Sequence, residues 1–349
     1  MTRVVVAEDS AVTRELLVDV LGQDPNVDVV GAARDGAEAI RLTERLRPDV
    51  VLMDIHMPRL NGYEATSWIM QNVPTPIVMI TAHALDETTL ALEALRVGAL
   101  TLLAKPPGPG HPEHAAAIDE LVETVRLMAD VKVVRRRARP SEPHPRPAPS
   151  VAIERRVRIV AMGASTGGPQ ALATILRDLP RDVGVPIVVV QHIAPHFVEG
   201  LATWLSAQTG LRVTVGGEGD AILPGTVYFA PDHAQMGITR AGRIHLSSDG
   251  SKNGPCPSIS HLFNSVSESY GGAAVGVLLS GMGADGADGL LRLRRAGALT
   301  IAQHEETCVV FGMPREAIRL GAAAHVLAPT AMADVIRSLS TGATVGASR

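Results

Sequence analysis

Two doubly wound parallel-sheet α/β domains are predicted by three features of this sequence. Short apolar runs suited to the interior of a parallel sheet alternate with helical patterns. Many of these runs end in a polar side chain able to do chemistry. Near the middle, a stretch dense in proline breaks the alternation. A chain of 349 residues is long for one core and comfortable for two. Hydrophobic content of 46% with only 3% aromatic fits small aliphatic α/β packing. The net charge of −4 gives no reason to expect general affinity for nucleic acid. Cys256 and Cys308 are the only cysteines, too few for a disulfide framework and without metal-binding spacing. No apolar run approaches the roughly 20 residues a membrane span requires, and no signal-peptide pattern precedes the first strand, so a soluble, cytoplasmic protein is expected.

The first strand, Arg3-Val-Val-Val-Ala, ends in Glu8 and Asp9. The run Pro48-Asp-Val-Val-Leu-Met-Asp54 ends in a carboxylate, Pro76-Ile-Val-Met-Ile-Thr81 in a hydroxyl, and Leu100-Thr-Leu-Leu-Ala-Lys105 in an ammonium. Helices are predicted over Thr13–Gly22, Ala37–Leu46, Gly62–Asn72 and Asp86–Gly98. A last helix runs from about Glu113 into the basic cluster Arg135–Arg139. In a doubly wound sheet the carboxyl ends of the strands share one rim, where ligands bind. Three carboxylates there repel one another and invite a hard divalent cation such as Mg²⁺. The cation, Lys105 and Thr81 would then neutralise a phosphoryl group being transferred to Asp54. Each acid taken singly reads as a solvated strand cap; the five residues together point to phosphoryl acceptance.

The pieces Glu8-Asp9-Ser10, Asp54-x-x-Met57-Pro58, Asn61-Gly62, Thr81-Ala82 and Lys105-Pro106 resemble the response-regulator receiver domain over roughly the first third of the chain. The resemblance implies a flavodoxin-like fold in which a partner histidine kinase is the phosphodonor for Asp54. It further implies that Glu8, Asp9 and Asp54 bind Mg²⁺, that Thr81 contacts the phosphoryl oxygens and that Lys105 pairs with them. Leu102 stands where receivers usually carry an aromatic switch residue, and His56 occupies a position where Glu is frequent.

Residues 135–154 read as a linker between domains spanning 1–134 and 155–345. The prolines of Pro140-Ser-Glu-Pro-His-Pro-Arg-Pro-Ala-Pro149 can neither continue a helix nor join a ladder, and the segment offers nothing to bury. The second α/β pattern opens with the strand Arg158–Met162, a glycine-rich turn and a helix over Pro169–Asp178. A strand at Val185–Val190 and a helix near Phe197–Thr209 follow. Leu211–Thr239, rich in Gly, Thr and Val, reads as shorter strands of antiparallel character. Ser258–Tyr270 is helical, Ala273–Ser280 an apolar strand, and Asp285–Gly297 helical again.

Three of these strands run into Ser165, His192 and Asp285. If the sheet is parallel the three share a rim and supply the groups nucleophilic acyl transfer requires: a hydroxyl, an imidazole to take its proton and an acid to orient the imidazole. Backbone N–H groups at the start of the following helix would stabilise an oxyanion. Gly163-x-Ser165-x-Gly167 equally suits a phosphate-binding turn. His192 alone reads as a structural histidine, and Asp285 alone as a helix N-cap. The order Ser, His, Asp differs from that of α/β-hydrolases and implies another fold.

The motifs Gly163-Ala-Ser-Thr-Gly-Gly168, Gln191-His192, Pro257-Ser258-Ile259, Ser280-Gly-Met-Gly-Ala-Asp-Gly286 and Val309-Val-Phe-Gly-Met-Pro-Arg-Glu-Ala317 resemble the catalytic domain of chemotaxis-type protein-glutamate methylesterases. The resemblance implies a Rossmann-like domain with Ser165 as nucleophile, His192 as general base, Asp285 as its orienting acid, and Thr166 and Met282 lining the site. The implied substrate is a γ-methyl glutamate on a methylated chemoreceptor helix, with receptor glutamine as a second substrate and no cofactor for the esterase step. It also implies that the unphosphorylated receiver inhibits the esterase. Ser260 replaces a frequent Asp and Cys256 a frequent Arg. Two other functions compete: a phosphorylation-controlled nucleotide-binding or interaction module, and a transcription factor, which the missing basic recognition helix disfavours.

Overall fold

A computed structural model describes residues 1–81, 94–95, 98–131, 133, 157–248 and 255–340. Two compact units divide the chain, Met1–Pro143 and His144–Arg349. The helix expected over 86–98 falls largely outside the described residues, as do the proline-rich stretch and the basic cluster before it.

The first unit holds a parallel sheet of five strands: β1 (Thr2–Ala7), β2 (Val27–Ala33), β3 (Val50–Asp54), β4 (Ile77–Thr81) and β5 (Thr101–Ala104). Their order is β2-β1-β3-β4-β5. Strands β3 and β4 are buried along their whole length, as expected of apolar runs covered on both faces. The register pairs Ala7 with Met53, Asp54 with Ile80 and Thr81 with Ala104, so Glu8, Asp54, Thr81 and Lys105 reach one rim.

Side-chain caps start three of the helices around the sheet. Ser10 caps α1 (Ala11–Gly22), Asp35 caps α2 (Gly36–Leu46), and Asn61 with Glu64 forms a capping box on α3 (Gly62–Asn72). The last helix, α4 (His114–Ala129), stops well short of Arg135–Arg139, contrary to expectation. Its last buried side chain is Met128; the β-branched Val131 and Val133 that follow disfavour further helix.

The second unit is built on seven strands in the order β14-β13-β12-β6-β7-β9-β8, every neighbouring pair parallel. Along the chain run β6 (Ile159–Ala164), α5 (Gly168–Arg177), β7 (Ile187–Gln191), α6 (Val198–Thr209), β8 (Arg212–Val215) and β9 (Thr226–Phe229). The hairpin of β10 (Gln235–Ile238) and β11 (Ile244–Ser247) comes next. Then follow α7 (Ile259–Tyr270), β12 (Ala274–Leu278), α8 (Ala287–Arg295), β13 (Leu299–Gln303), α9 (Met313–Arg319), β14 (His325–Leu327) and α10 (Pro329–Ser340).

The antiparallel reading of Leu211–Thr239 holds only for β10, which pairs with β11. Strands β8 and β9 instead extend the parallel sheet, because β9 is buried at all four positions between β7 and β8. The elements after α8 carried no clear signal in the sequence. The order reverses at β6, which has β7 on one side and β12 on the other, creating the switch point where open α/β sheets place their ligands. Phe197, Phe229 and Phe263 are the largest fully buried side chains of this unit. No helix among the described residues is long and apolar enough to cross a membrane.

Candidate active site

The switch point gathers the predicted serine, histidine and aspartate. Ser165 follows β6, His192 follows β7 and Asp285 lies in the loop after β12, so all three sit at the carboxyl ends of adjacent strands. The His192 N–H donates to the Ala164 carbonyl at 2.9 Å, and the Ser165 N–H donates to the Ser280 carbonyl at 3.0 Å. Ser165, His192 and Asp285 are all half-buried. The His192 Nε2 lies 3.1 Å from Asp285 Oδ2, a close contact that is not aligned as a hydrogen bond. No hydrogen bond joins the Ser165 hydroxyl to His192 among the described residues. Such bonds are commonly loose before substrate arrives.

Asp285 does not cap the helix that follows it. Gly286, at φ +87°, occupies the N-cap of α8, a conformation glycine adopts without strain. The Asp285 carboxylate turns instead to the start of α7. There it accepts from the Ile259 N–H (2.7 Å), the Ser260 N–H (3.0 Å) and the Ser258 hydroxyl (3.0 Å). Burial alone would raise its pKa, but His192 and these backbone donors outweigh burial and hold it at about 2. The carboxylate is therefore ionised at neutral pH and able to stabilise a neighbouring imidazolium.

Because this pKa is depressed on folding, Asp285 contributes stability above its ordinary range, and that contribution is lost as pH falls through about 2. Its size is about 2 kcal/mol. The stability difference between wild type and Asp285→Asn, from urea unfolding, should be constant above about pH 5 and shrink steadily below it. A difference independent of pH would contradict the anchored carboxylate.

Several supporting residues were given no role in the sequence. Ser280, fully buried, donates from its hydroxyl to the Thr166 carbonyl at 2.7 Å and accepts from the N–H groups of Val309 and Val310. Gln191 donates from Nε2 to the carbonyls of Ser165 and His192, each at 2.8 Å. Gln303 accepts the Ser280 N–H at 2.8 Å. The one available signal was a polar residue closing an apolar strand. Thr166 and Met282, expected to line the site, are half-buried at its edge. The phosphate-turn alternative loses donors here: the Gly168 N–H is taken by the Ser165 carbonyl at 2.7 Å, and residue 169 is proline.

On the first unit's rim, Lys105 Nζ lies 2.9 Å from Glu8 Oε2 and 3.0 Å from Asp54 Oδ1. Burial raises the pKa of both carboxyls despite the lysine, and burial acts to lower that of Lys105, whose bonds to the two acids outweigh it and leave it raised. Oxygens of Glu8, Asp9 and Asp54 all lie within 4.8 Å of one another. Asp54 Oδ2 is buried and has no hydrogen-bond donor among the described residues. An all-oxygen cluster with an unpartnered buried oxygen fits a hard divalent cation. Thr81 is buried at the end of β4, and its carbonyl accepts the Lys105 N–H at 2.8 Å.

Residues 160–336 match the family described as CheB methylesterase, and residues 4–116 match the response regulator receiver domain. The chain belongs to the CheB methylesterase family. It is 45% identical over 344 residues to a Geobacter metallireducens protein named protein-glutamate methylesterase/protein-glutamine glutaminase 4, covering 97% of this chain and 99% of that one. A Nitrosospira multiformis protein of the same activity name is 47% identical over 344 residues, covering 97% of each chain. The solved Thermotoga maritima CheB methylesterase catalytic domain is 35% identical with a TM-score of 0.51, spanning 52% of this chain and 98% of that structure.

Two of the positions read as departures from the family pattern, Ser260 and Leu102, have clear structural settings. Ser260 accepts the Gly286 N–H on its hydroxyl at 2.8 Å, so it supports the loop carrying Asp285 although it lacks a charge. Leu102 is buried in β5. Nothing in the structure explains the substitution at Cys256.

Proposed function

We propose that this CheB-family chain is a cytoplasmic, phosphorylation-regulated protein-glutamate methylesterase. It hydrolyses γ-methyl esters of glutamate on chemoreceptor helices, with receptor glutamine deamidated at the same site. The observation that carries this reading is the meeting of Ser165, His192 and an ionised Asp285 at the β6 switch point. Ser165 Oγ attacks the ester carbonyl carbon while His192 takes the hydroxyl proton, and Asp285 stabilises the imidazolium. The carbonyl electron pair moves to oxygen. The backbone N–H groups of Thr166, Gly167 and Met282, which donate to no other described residue, are the proposed donors to that oxyanion.

Collapse of the tetrahedral intermediate breaks the bond to methoxide, which takes the proton from His192 and leaves as methanol. Water, deprotonated by His192, attacks the resulting glutamyl ester of Ser165. The serine leaves with its proton restored, so one ester and one water become one carboxylic acid and one methanol.

In the receiver, Asp54 is the proposed phosphoryl acceptor from a histidine kinase. Mg²⁺ held by Glu8, Asp9 and Asp54 would offset charge on the transferring group. Lys105 and Thr81 would take the phosphoryl oxygens. The direct test is release of methanol from a helical peptide carrying γ-methyl glutamate. Release that depends on Ser165 supports the reading, and intact ester after prolonged incubation refutes it.

A further inference from the structure

We infer that Gln191 and Ser280 are positioning residues that aim the oxyanion-binding N–H groups of the Ser165 turn, by gripping the same peptides through their carbonyls. The inference rests on the serine-esterase reading above. In a trans peptide the C=O and N–H point in opposite directions, so whatever holds the carbonyl also sets the direction of the amide. The Ser165 carbonyl accepts from the Gly168 N–H at 2.7 Å and from Gln191 Nε2 at 2.8 Å, which turns the Thr166 N–H away from the interior. The Thr166 carbonyl accepts from the Ser280 hydroxyl at 2.7 Å, which turns the Gly167 N–H away in the same manner. Neither the Thr166 nor the Gly167 N–H donates to another described residue.

Both gripping side chains are built into the core rather than the site: Gln191 is 5% exposed and Ser280 fully buried. The second hydrogen of Gln191 Nε2 goes to the His192 carbonyl, so a single amide group ties the backbone of the proposed nucleophile to that of the proposed base. Ser280 adds a further hold, because its own carbonyl accepts the Ser165 N–H at 3.0 Å. The space for this clamp is tightly drawn: a Cβ on Gly168 would stand 2.2 Å from Gln191 Oε1. Groups so fixed are oriented before charge develops, which is the condition under which backbone donors stabilise an oxyanion most strongly.

The test compares Gln191→Leu and Ser280→Ala with wild type in the full-length chain. Each variant is checked for a melting temperature close to wild type, and the pair guards against one failing to fold. On a helical peptide carrying one γ-methyl glutamate, each variant should lose about 10- to 100-fold in kcat with KM nearly unchanged, since only transition-state binding is impaired. Affinity for a peptidyl trifluoromethyl ketone, which forms a tetrahedral adduct with a serine, should fall by a similar factor. Binding of the same peptide with plain glutamate in place of the ester should not change. Ser280→Thr, which keeps the hydroxyl, should recover most of the kcat lost in Ser280→Ala.

Folded Gln191→Leu and Ser280→Ala proteins with wild-type kcat and ketone affinity would overturn the clamp. So would equal losses in ketone and product-peptide binding, the mark of a general structural role. Failure of the esterase reading looks different: Ser165→Ala would then hydrolyse the peptide as wild type does, whatever the clamp variants did.

Discussion

Ser165→Ala should lower methyl-ester hydrolysis by about three to six orders of magnitude, because it removes the only proposed nucleophile from the site. His192→Ala should cost nearly as much, since a serine hydroxyl without a base is a poor nucleophile at neutral pH. The two act as one unit, so the double variant should be little worse than either alone. Asp285→Ala should be milder in catalysis, as it leaves both nucleophile and base in place. It also strips three hydrogen bonds from the start of α7, so its stability should fall as well. Initial rates of methanol release, measured well below each variant's melting temperature, separate the two effects. A folded Ser165→Ala protein working at near wild-type rate would exclude a serine mechanism.

Asp54→Asn should abolish covalent labelling by a phosphodonor while leaving basal esterase activity intact. The amide keeps the shape of the side chain but lacks a nucleophilic carboxylate oxygen and one negative charge at the acidic cluster of Glu8, Asp9 and Asp54. The substitution should also raise the unfolding temperature of the receiver in metal-free buffer. Asp54 and Glu8 both have carboxyl pKa values raised on folding, so their ionised forms weaken the fold at neutral pH. Removing one charge relieves that while Lys105 keeps Glu8 as a partner. Labelling that survives the substitution would mean another residue accepts the phosphoryl group.

Much of this architecture was legible because parallel strands are buried on both faces and read as unbroken apolar runs. Val50–Asp54 and Ile77–Thr81 are such runs, and the polar residue that ends each one marks the ligand rim. The places of Ser165 and His192 at the ends of adjacent strands were legible for the same reason. The setting of Asp285 was not: its neighbours in the sequence suggest a cap on the helix that follows, whereas its partners Ile259 and Ser260 lie more than twenty residues away. The role of Ser280 was missed because a buried serine carries no distinguishing pattern until its partners at 166, 309 and 310 are brought together. Strands β8 and β9 were misread because four-residue segments are too short for period to reveal whether a neighbour runs parallel.

Phosphorylation of one domain governing a serine esterase in the other is the proposal on which the rest depends. Its most direct measurement is methanol release from methylated chemoreceptor helices by the intact chain, with and without acetyl phosphate and Mg²⁺. The phosphodonor should accelerate release by wild type and leave Asp54→Asn at its basal rate, and Ser165→Ala should release methanol at no more than about a thousandth of the wild-type rate under either condition. A wild-type rate indifferent to the phosphodonor while Asp54 is demonstrably labelled would contradict the regulatory half of the claim. Methanol release from Ser165→Ala at near the wild-type rate would contradict the catalytic half.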